Sequence, residues 1–247
     1  MGEIGLSFAF RRWSAWAPGL EAPDAWRTWA EGEAGLPVGQ DSAPDVRDLP
    51  AGLRRRLSRL GKVVLRTAMD INPEFSPRVI FSSRNGNVAQ MLGLLESLAR
   101  EEPLSPTGFG MSVHNSLAGM LSIISKNRET HTAIAAGGES FCLGLIEALT
   151  TLQEDPSSPV LFLHADEPLP EFYEPYGDAD VPLAALALLI APADEAVGEM
   201  YRFGFTGAVG REHGGDPLAS FLRFMLRGQG EWRWSGEQGD WWCRRHV

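Results

Sequence analysis

The side chains best suited to covalent chemistry lie in one stretch, THTAIAAGGESFCLGLIEAL, residues 130–149. A cysteine thiolate is a nucleophile, and Gly137-Gly138 lets the backbone turn sharply between a buried strand and a helix, where helix-terminal N–H groups converge. Such an elbow commonly carries a nucleophile. Cys142, however, stands four residues past Gly138, one turn into the helix, where those N–H groups no longer converge on it. It reads as a small core residue, with a thioester-processing nucleophile as the alternative. A second group, His164, Asp166 and Glu167, follows the apolar run PVLFL, at a strand end where α/β proteins keep functional groups. Its carboxylates are too close in sequence to form a separated acid and base, so a strand-end cap facing a partner is the better reading. His114-Asn115 opens a helix and reads as a cap or an interface hydrogen-bonding pair. Neither the histidines His114, His131 and His164 nor the cysteines Cys142 and Cys243 show metal-ligand spacing, so no metal or cofactor is expected and a disulfide has no sequence support.

The elements that must position these groups follow from periodicity. Leu117, Met120, Leu121, Ile123 and Ile124 have helical spacing over 115–124, and THTAIAA is short, uncharged and partly β-branched, as a strand buried on both faces would be. Phe141, Leu145, Ile146 and Leu149 then begin a second helix. Upstream, residues 4–16 alternate loosely and read as an opening strand. Residues 17–50 are rich in Pro, Gly, Trp and acids, with a short helix over 24–31, and read as an excursion packed on a core by its aromatics. Leu53 to Met69 reads as one amphipathic helix bearing the basic residues Arg54, Arg55, Arg56, Arg59 and Lys62, RVIFS as a strand, and Val88 to Ala99 as a helix with Val88, Met91, Leu92, Leu95 and Leu98 inward. Residues 181–190 fit either strand or helix. Tyr201 to Phe205 reads as an edge strand, 217–226 as a helix, and the tail with Trp232, Trp234, Trp241 and Trp242 as a packed hairpin. Alternating strands and helices predict a layered α/β fold.

A net charge of -10 argues against binding a phosphate backbone, so nucleic acid is not an expected partner. The start lacks a basic n-region, and the most apolar run, 181–193, is too short to span a bilayer. A cytoplasmic chain without membrane insertion is expected.

Asn115, Ala118, Gly119, Leu121, Ser122 and Ile123, with Glu147-Ala148 downstream, match an N-x-x-A-G-x-L-S-I helix and an E-A helix around a strand and elbow. This pattern resembles the N-terminal half of a β-ketoacyl synthase, and more closely the small chain-length-factor subunits of aryl polyene biosynthesis. The resemblance covers roughly residues 47–193 and is most specific over 115–148. It implies a thiolase-like α/β/α half with a mixed sheet, as a single domain over 1–247 in which 194–247 is a family-specific tail packed on the rest. The ungapped register puts Gly138 at the nucleophile's place, and matching the glycine pair to the small residues after the nucleophile moves that place to Ala135. Neither is a thiol.

The resemblance therefore implies a noncatalytic subunit that pairs with an active β-ketoacyl synthase and helps shape the pocket for a growing acyl or polyene chain. His114, Asn115, Thr132, Ile134, Ala136, Gly137, Ser140 and Phe141 are expected at the partner interface or pocket. Arg54, Arg55 and Arg59 are expected to steer an acyl carrier protein, an indirect partner. The alternatives are a condensing enzyme in its own right using Cys142 or the His164–Glu167 region, and a purely stabilising interaction protein.

Overall fold

The computed structural model describes residues 4–38, 42–71, 76–177, 181–194, 199–207 and 214–246. In chain order they form β1 (Ile4–Trp16), α1 (Pro23–Glu31), α2 (Ala51–Arg54), α3 (Arg59–Ile71), β2 (Arg78–Ser82), α4 (Val88–Ala99), α5 (Pro106–Ser112), α6 (Ser116–Ser125) and β3 (His131–Ile134). There follow α7 (Ser140–Glu154), β4 (Val160–Asp166), β5 (Ala184–Pro192), β6 (Met200–Thr206), α8 (Pro217–Arg227), β7 (Glu231–Ser235) and β8 (Asp240–His246).

All eight strands share one mixed sheet in the order β3-β2-β4-β5-β1-β6-β8-β7. β3, β2 and β4 run parallel to one another, and the remaining pairings are antiparallel. The sheet lies between two apolar layers. α3 and α6 cover one face, over Val79, Phe81, Leu161 and Leu163, while α7 and α8 cover the other, over Ile80, Phe162, Leu186 and Leu188. β5 is apolar along its whole length because helices bury both its faces, which explains why its sequence lacks a strand period. Residues 17–38 pack as their aromatics suggest: Trp26 is buried, its indole N–H donates to the Ala15 carbonyl at 3.0 Å, and Arg227 of α8 holds the Ala30 carbonyl at 2.7 Å.

Four expectations from the sequence need correction. The helix expected over 53–69 is two helices, because Ser58 accepts from the Gly61 N–H at 3.0 Å and starts α3 anew. β6, expected at an edge, lies between β1 and β8. β3, expected to be buried on both faces, is itself the sheet edge, and all four of its residues are half-buried. Finally, the apolar stripe of α4 and part of α6 faces outward: Met91, Leu95, Leu98 and Ile123 are exposed, Ile123 by 66%. Helical spacing identifies an apolar face but not what covers it.

The close approach of α7 to β2 depends on Gly144. A Cβ there would run into Cβ and Oγ of Ser82 and lie 3.1 Å from the Phe162 ring. Gly144→Ala is therefore expected to destabilise the fold by about 1–3 kcal/mol, the usual cost of overpacking, read as a lower midpoint in a urea titration with an unchanged m-value.

Candidate functional site

The carboxyl ends of β3, β2 and β4 meet at one place, held by a buried polar chain. Ser82 Oγ lies 2.8 Å from His164 Nδ1, and His164 Nε2 lies 3.4 Å from Asp166 Oδ2. Asp166 also accepts from Ser83 Oγ and the Arg84 N–H, both at 2.8 Å, and so closes the turn after β2. The imidazole tautomer sets whether Ser82 Oγ donates to Nδ1 or accepts from it. Burial lowers the His164 pKa below its ordinary 6.5, against the opposing pull of Asp166. Next in sequence, Glu167 is buried and paired with Arg59 at 3.3 Å, and burial raises its carboxyl above the usual range in spite of that arginine.

The elbow after β3 has a defined geometry. Gly137 takes φ +56°, a left-handed conformation that favours glycine, and opens a 3-10 turn over Gly137–Glu139 that runs into α7. Ser140 fastens it, its hydroxyl accepting from the Ala136 N–H at 2.9 Å and donating to the Gly137 carbonyl at 2.8 Å. Glu139 is buried beneath the turn, where its carboxylate accepts from the Gln238 N–H at 3.2 Å. Between elbow and polar chain lies a cavity of about 380 Å³. Gly137, Gly138, Ser140, Phe141 and His164 form its floor, and Asp216, Leu218 and Trp234 wall it from the C-terminal segment.

The expected site residues divide into groups. Ser140 and Phe141 are buried and face this cavity. Thr132, Ile134, Ala136 and His114 are half-buried along the β3 edge, where His114 Nε2 lies 3.1 Å from the Ile134 carbonyl, and Asn115 and Gly137 are exposed. His114 therefore ties α6 to β3 rather than capping a helix. Gly138 borders the cavity with nothing within 4 Å of where its Cβ would stand, and Ala135 is exposed. Cys142 does not line the cavity. It is wholly buried in the α7 layer, and burial, with Glu139 adding to it, pushes its thiol well above the ordinary range. The geometry thus leaves the nucleophile reading of Cys142 without an accessible thiolate. Of the three arginines, Arg59 is turned to Glu167, Arg54 donates to the Arg47 carbonyl at 3.1 Å, and Arg55 is exposed. Sequence reading missed Ser82, Asp216 and Trp234. For Asp216 a signal exists, an Asp-Pro helix start, and its carboxylate accepts from the Leu218 N–H at 2.9 Å.

A family model for the N-terminal domain of β-ketoacyl synthases matches residues 26–243. The chain belongs to this family. No curated protein matches its sequence. Among solved structures, the ketosynthase (ApeO) in complex with its chain length factor (ApeC) from Xenorhabdus doucetiae contains a chain 30% identical to it, with TM-score 0.82, covering 97% of this chain and 100% of that one. The ishigamide ketosynthase/chain length factor matches at 16% identity and TM-score 0.66, over 90% of this chain and 74% of that one. A β-ketoacyl synthase from Burkholderia phymatum STM815 matches at 11% and 0.60, over 91% and 71%. The last two likenesses concern the fold alone, which is thiolase-like. Among the described residues no helix is long and apolar enough to cross a membrane.

Two measurements check the site. Cys142 is expected to resist iodoacetamide at pH 8 in the folded protein and to alkylate fully in denaturant, as read by mass spectrometry; rapid labelling of the native chain would contradict its burial. For His164, a folded-state pKa below the unfolded 6.5 means that the unfolded chain binds more protons just below that pH. Its contribution to stability is complete above pH 6.5 and declines as the pH falls below it. NMR should show His164 titrating at lower pH in the folded protein than in the unfolded chain.

Proposed function

We propose that this chain is a noncatalytic, chain-length-factor-like subunit that pairs with an active β-ketoacyl synthase and helps shape the pocket for a growing acyl or polyene chain. The observation that carries the reading is a complete strand, elbow and helix with no thiol at its reactive place, Gly138 or Ala135. A ketosynthase takes up its acyl group on a cysteine thiolate, and Cys142 cannot substitute because it is buried away from the cavity. The Xenorhabdus complex, a ketosynthase with its chain length factor, supplies the analogy. In this reading residues 1–247 act as one ketosynthase-like N-terminal-half domain in the cytoplasm, and the catalytic partner receives the acyl carrier protein.

The two sheet edges support the reading. β7 carries Glu231 and Arg233 outward, paired at 3.0 Å, the charged protection usual at an exposed edge. β3, HTAI, has neither carboxylate nor Lys or Arg, and it continues past α6 and α5 to the exposed apolar residues of α4. An edge without charge beside exposed Leu and Phe side chains suits burial by a partner. The carbonyls of Thr130 and Ile134 accept from β2, so by alternation the N–H groups of His131 and Ala133 point outward. Thr132 and Ile134 would lie along the paired edge with their side chains on one face of the sheet, where Ile134 packs on the α7 layer, and Asn115 and His114 would flank them.

Ala133→Pro removes an outward donor while leaving the β2 ladder intact. Co-purification with a ketosynthase encoded beside this chain is expected to fall at least about tenfold, on the order of 1.4 kcal/mol, with an unchanged circular dichroism spectrum. Undiminished pairing would contradict the edge as the interface. In the intact complex, enlarging side chains near Gly138 is expected to change product chain length, whereas a purely stabilising subunit would leave it unchanged.

A further inference from the structure

The turn after β2 carries a reactive pair that the fold does not let the chain avoid. Asn85 alone among the asparagines precedes a glycine. The side-chain carbonyl carbon of an asparagine lies within reach of the next backbone nitrogen, and a glycine there leaves that nitrogen unscreened by a Cβ. Gly86 takes φ +59°, the left-handed conformation that favours glycine, and a Cβ on it would stand 2.6 Å from His114 Nδ1. Conformation and space both require glycine at 86, so Asn85 keeps its reactive neighbour.

The side chain of Asn85 is left unrestrained. It is half-buried, and its amide makes no hydrogen bond among the described residues. Asn127, by contrast, donates to the Pro77 carbonyl at 2.7 Å and accepts from the Glu129 N–H at 2.9 Å, and Asn87 donates to the Met111 carbonyl at 2.8 Å. What is held is the attacking nitrogen. The Gly86 N–H donates to Ser83 Oγ at 2.8 Å, and the fully buried Ser83 donates in turn to Asp166 Oδ1 at 2.8 Å. The amide proton is therefore committed to an oxygen that a carboxylate fixes in place.

We propose that Asn85-Gly86 is a site of spontaneous deamidation gated by Ser83. While the turn is closed, the Gly86 N–H stays on Ser83. When the turn opens locally, the nitrogen gives its proton to solvent and attacks Cγ of Asn85. The N–Cγ bond forms, the Cγ–Nδ2 bond breaks, and the departing nitrogen takes a proton from solvent and leaves as ammonia. Water then opens the cyclic imide at either carbonyl, giving aspartate or isoaspartate at position 85, so that one water is consumed for each ammonia released. Either product sets a carboxylate at a residue whose own N–H lies 3.4 Å from Asp166 Oδ1, and isoaspartate also lengthens the backbone of the turn by one CH2. Like charges so placed repel, which loosens the hold of Asp166 on the Arg84 N–H. The pairing of the chain with a ketosynthase does not enter.

The test follows Asn85 by peptide mapping and mass spectrometry while the full chain is incubated at pH 8, native and in urea. Native conversion is expected to be at least about tenfold slower than conversion in urea. Ser83→Ala removes the acceptor and is expected to speed native conversion at least about tenfold. Leu152→Ala truncates a buried side chain at the far end of α7, where Arg78 holds the neighbouring Thr151 carbonyl, and is expected to leave the native rate unchanged. If Ser83→Ala does not fold, hydrogen exchange of the Gly86 amide in the wild-type chain decides, with slow exchange expected and rapid exchange overturning the gate. Absence of conversion in urea, equal rates in both conditions, a folded Ser83→Ala chain that converts no faster, or equal acceleration by Leu152→Ala would each overturn the proposal.

Discussion

An open sheet leaves a row of unpaired N–H and C=O groups along each edge, and a protein must protect or cover them. This chain treats its two edges differently. At β7 the outward positions are charged and paired with each other, and the strand ends in a tight hairpin with β8. At β3 the strand is short, uncharged and half-buried, and the neighbouring helices show Leu95, Leu98, Phe109 and Ile123 to the outside. Burying such side chains against a partner is favourable at about 25 cal/mol per Å² of apolar surface, and the same contact would satisfy the outward amides of the edge.

The elbow depends on that edge strand for its position and on the α7 layer for its rigidity. Ser140 closes the 3-10 turn, Glu139 anchors it to the β7–β8 turn, and Gly144 lets α7 approach Ser82. Ser82 in turn holds His164, and Asp166 holds both the imidazole and the backbone after β2. These contacts lock the three parallel strand ends into one framework. A Ser, a His and an Asp in series would suggest hydrolytic chemistry if the serine were accessible. Ser82 is fully buried and packed against Gly144, so the chain of contacts is a brace.

Much of this was legible in the sequence. The spacing of Leu117, Met120 and Leu121, the short uncharged THTAIAA and the glycine pair located the strand, elbow and helix, and the displacement of Cys142 by one turn anticipated its burial. What was not legible depends on tertiary context. Helical periodicity in α4 correctly marked an apolar stripe, but the stripe faces outward, and a single sequence does not distinguish a core from an interface. THTAIAA looked doubly buried for the same reason, since composition records eventual burial and not which chain provides it. Ser58 broke an expected helix because a serine inside LRRRLSRL is also a good cap. The cavity's far wall comes from residues 214–234, more than 70 positions from the elbow, which no local pattern could connect.

Hydrogen exchange of the β3 backbone tests the central claim most directly. In the isolated chain the outward amides of His131 and Ala133 should exchange rapidly, while Thr132, directed at β2, is protected. On addition of the partner ketosynthase, the account predicts that His131 and Ala133 become protected while the β7 edge stays unchanged. A stable complex in which both amides still exchange as in the free chain would contradict it.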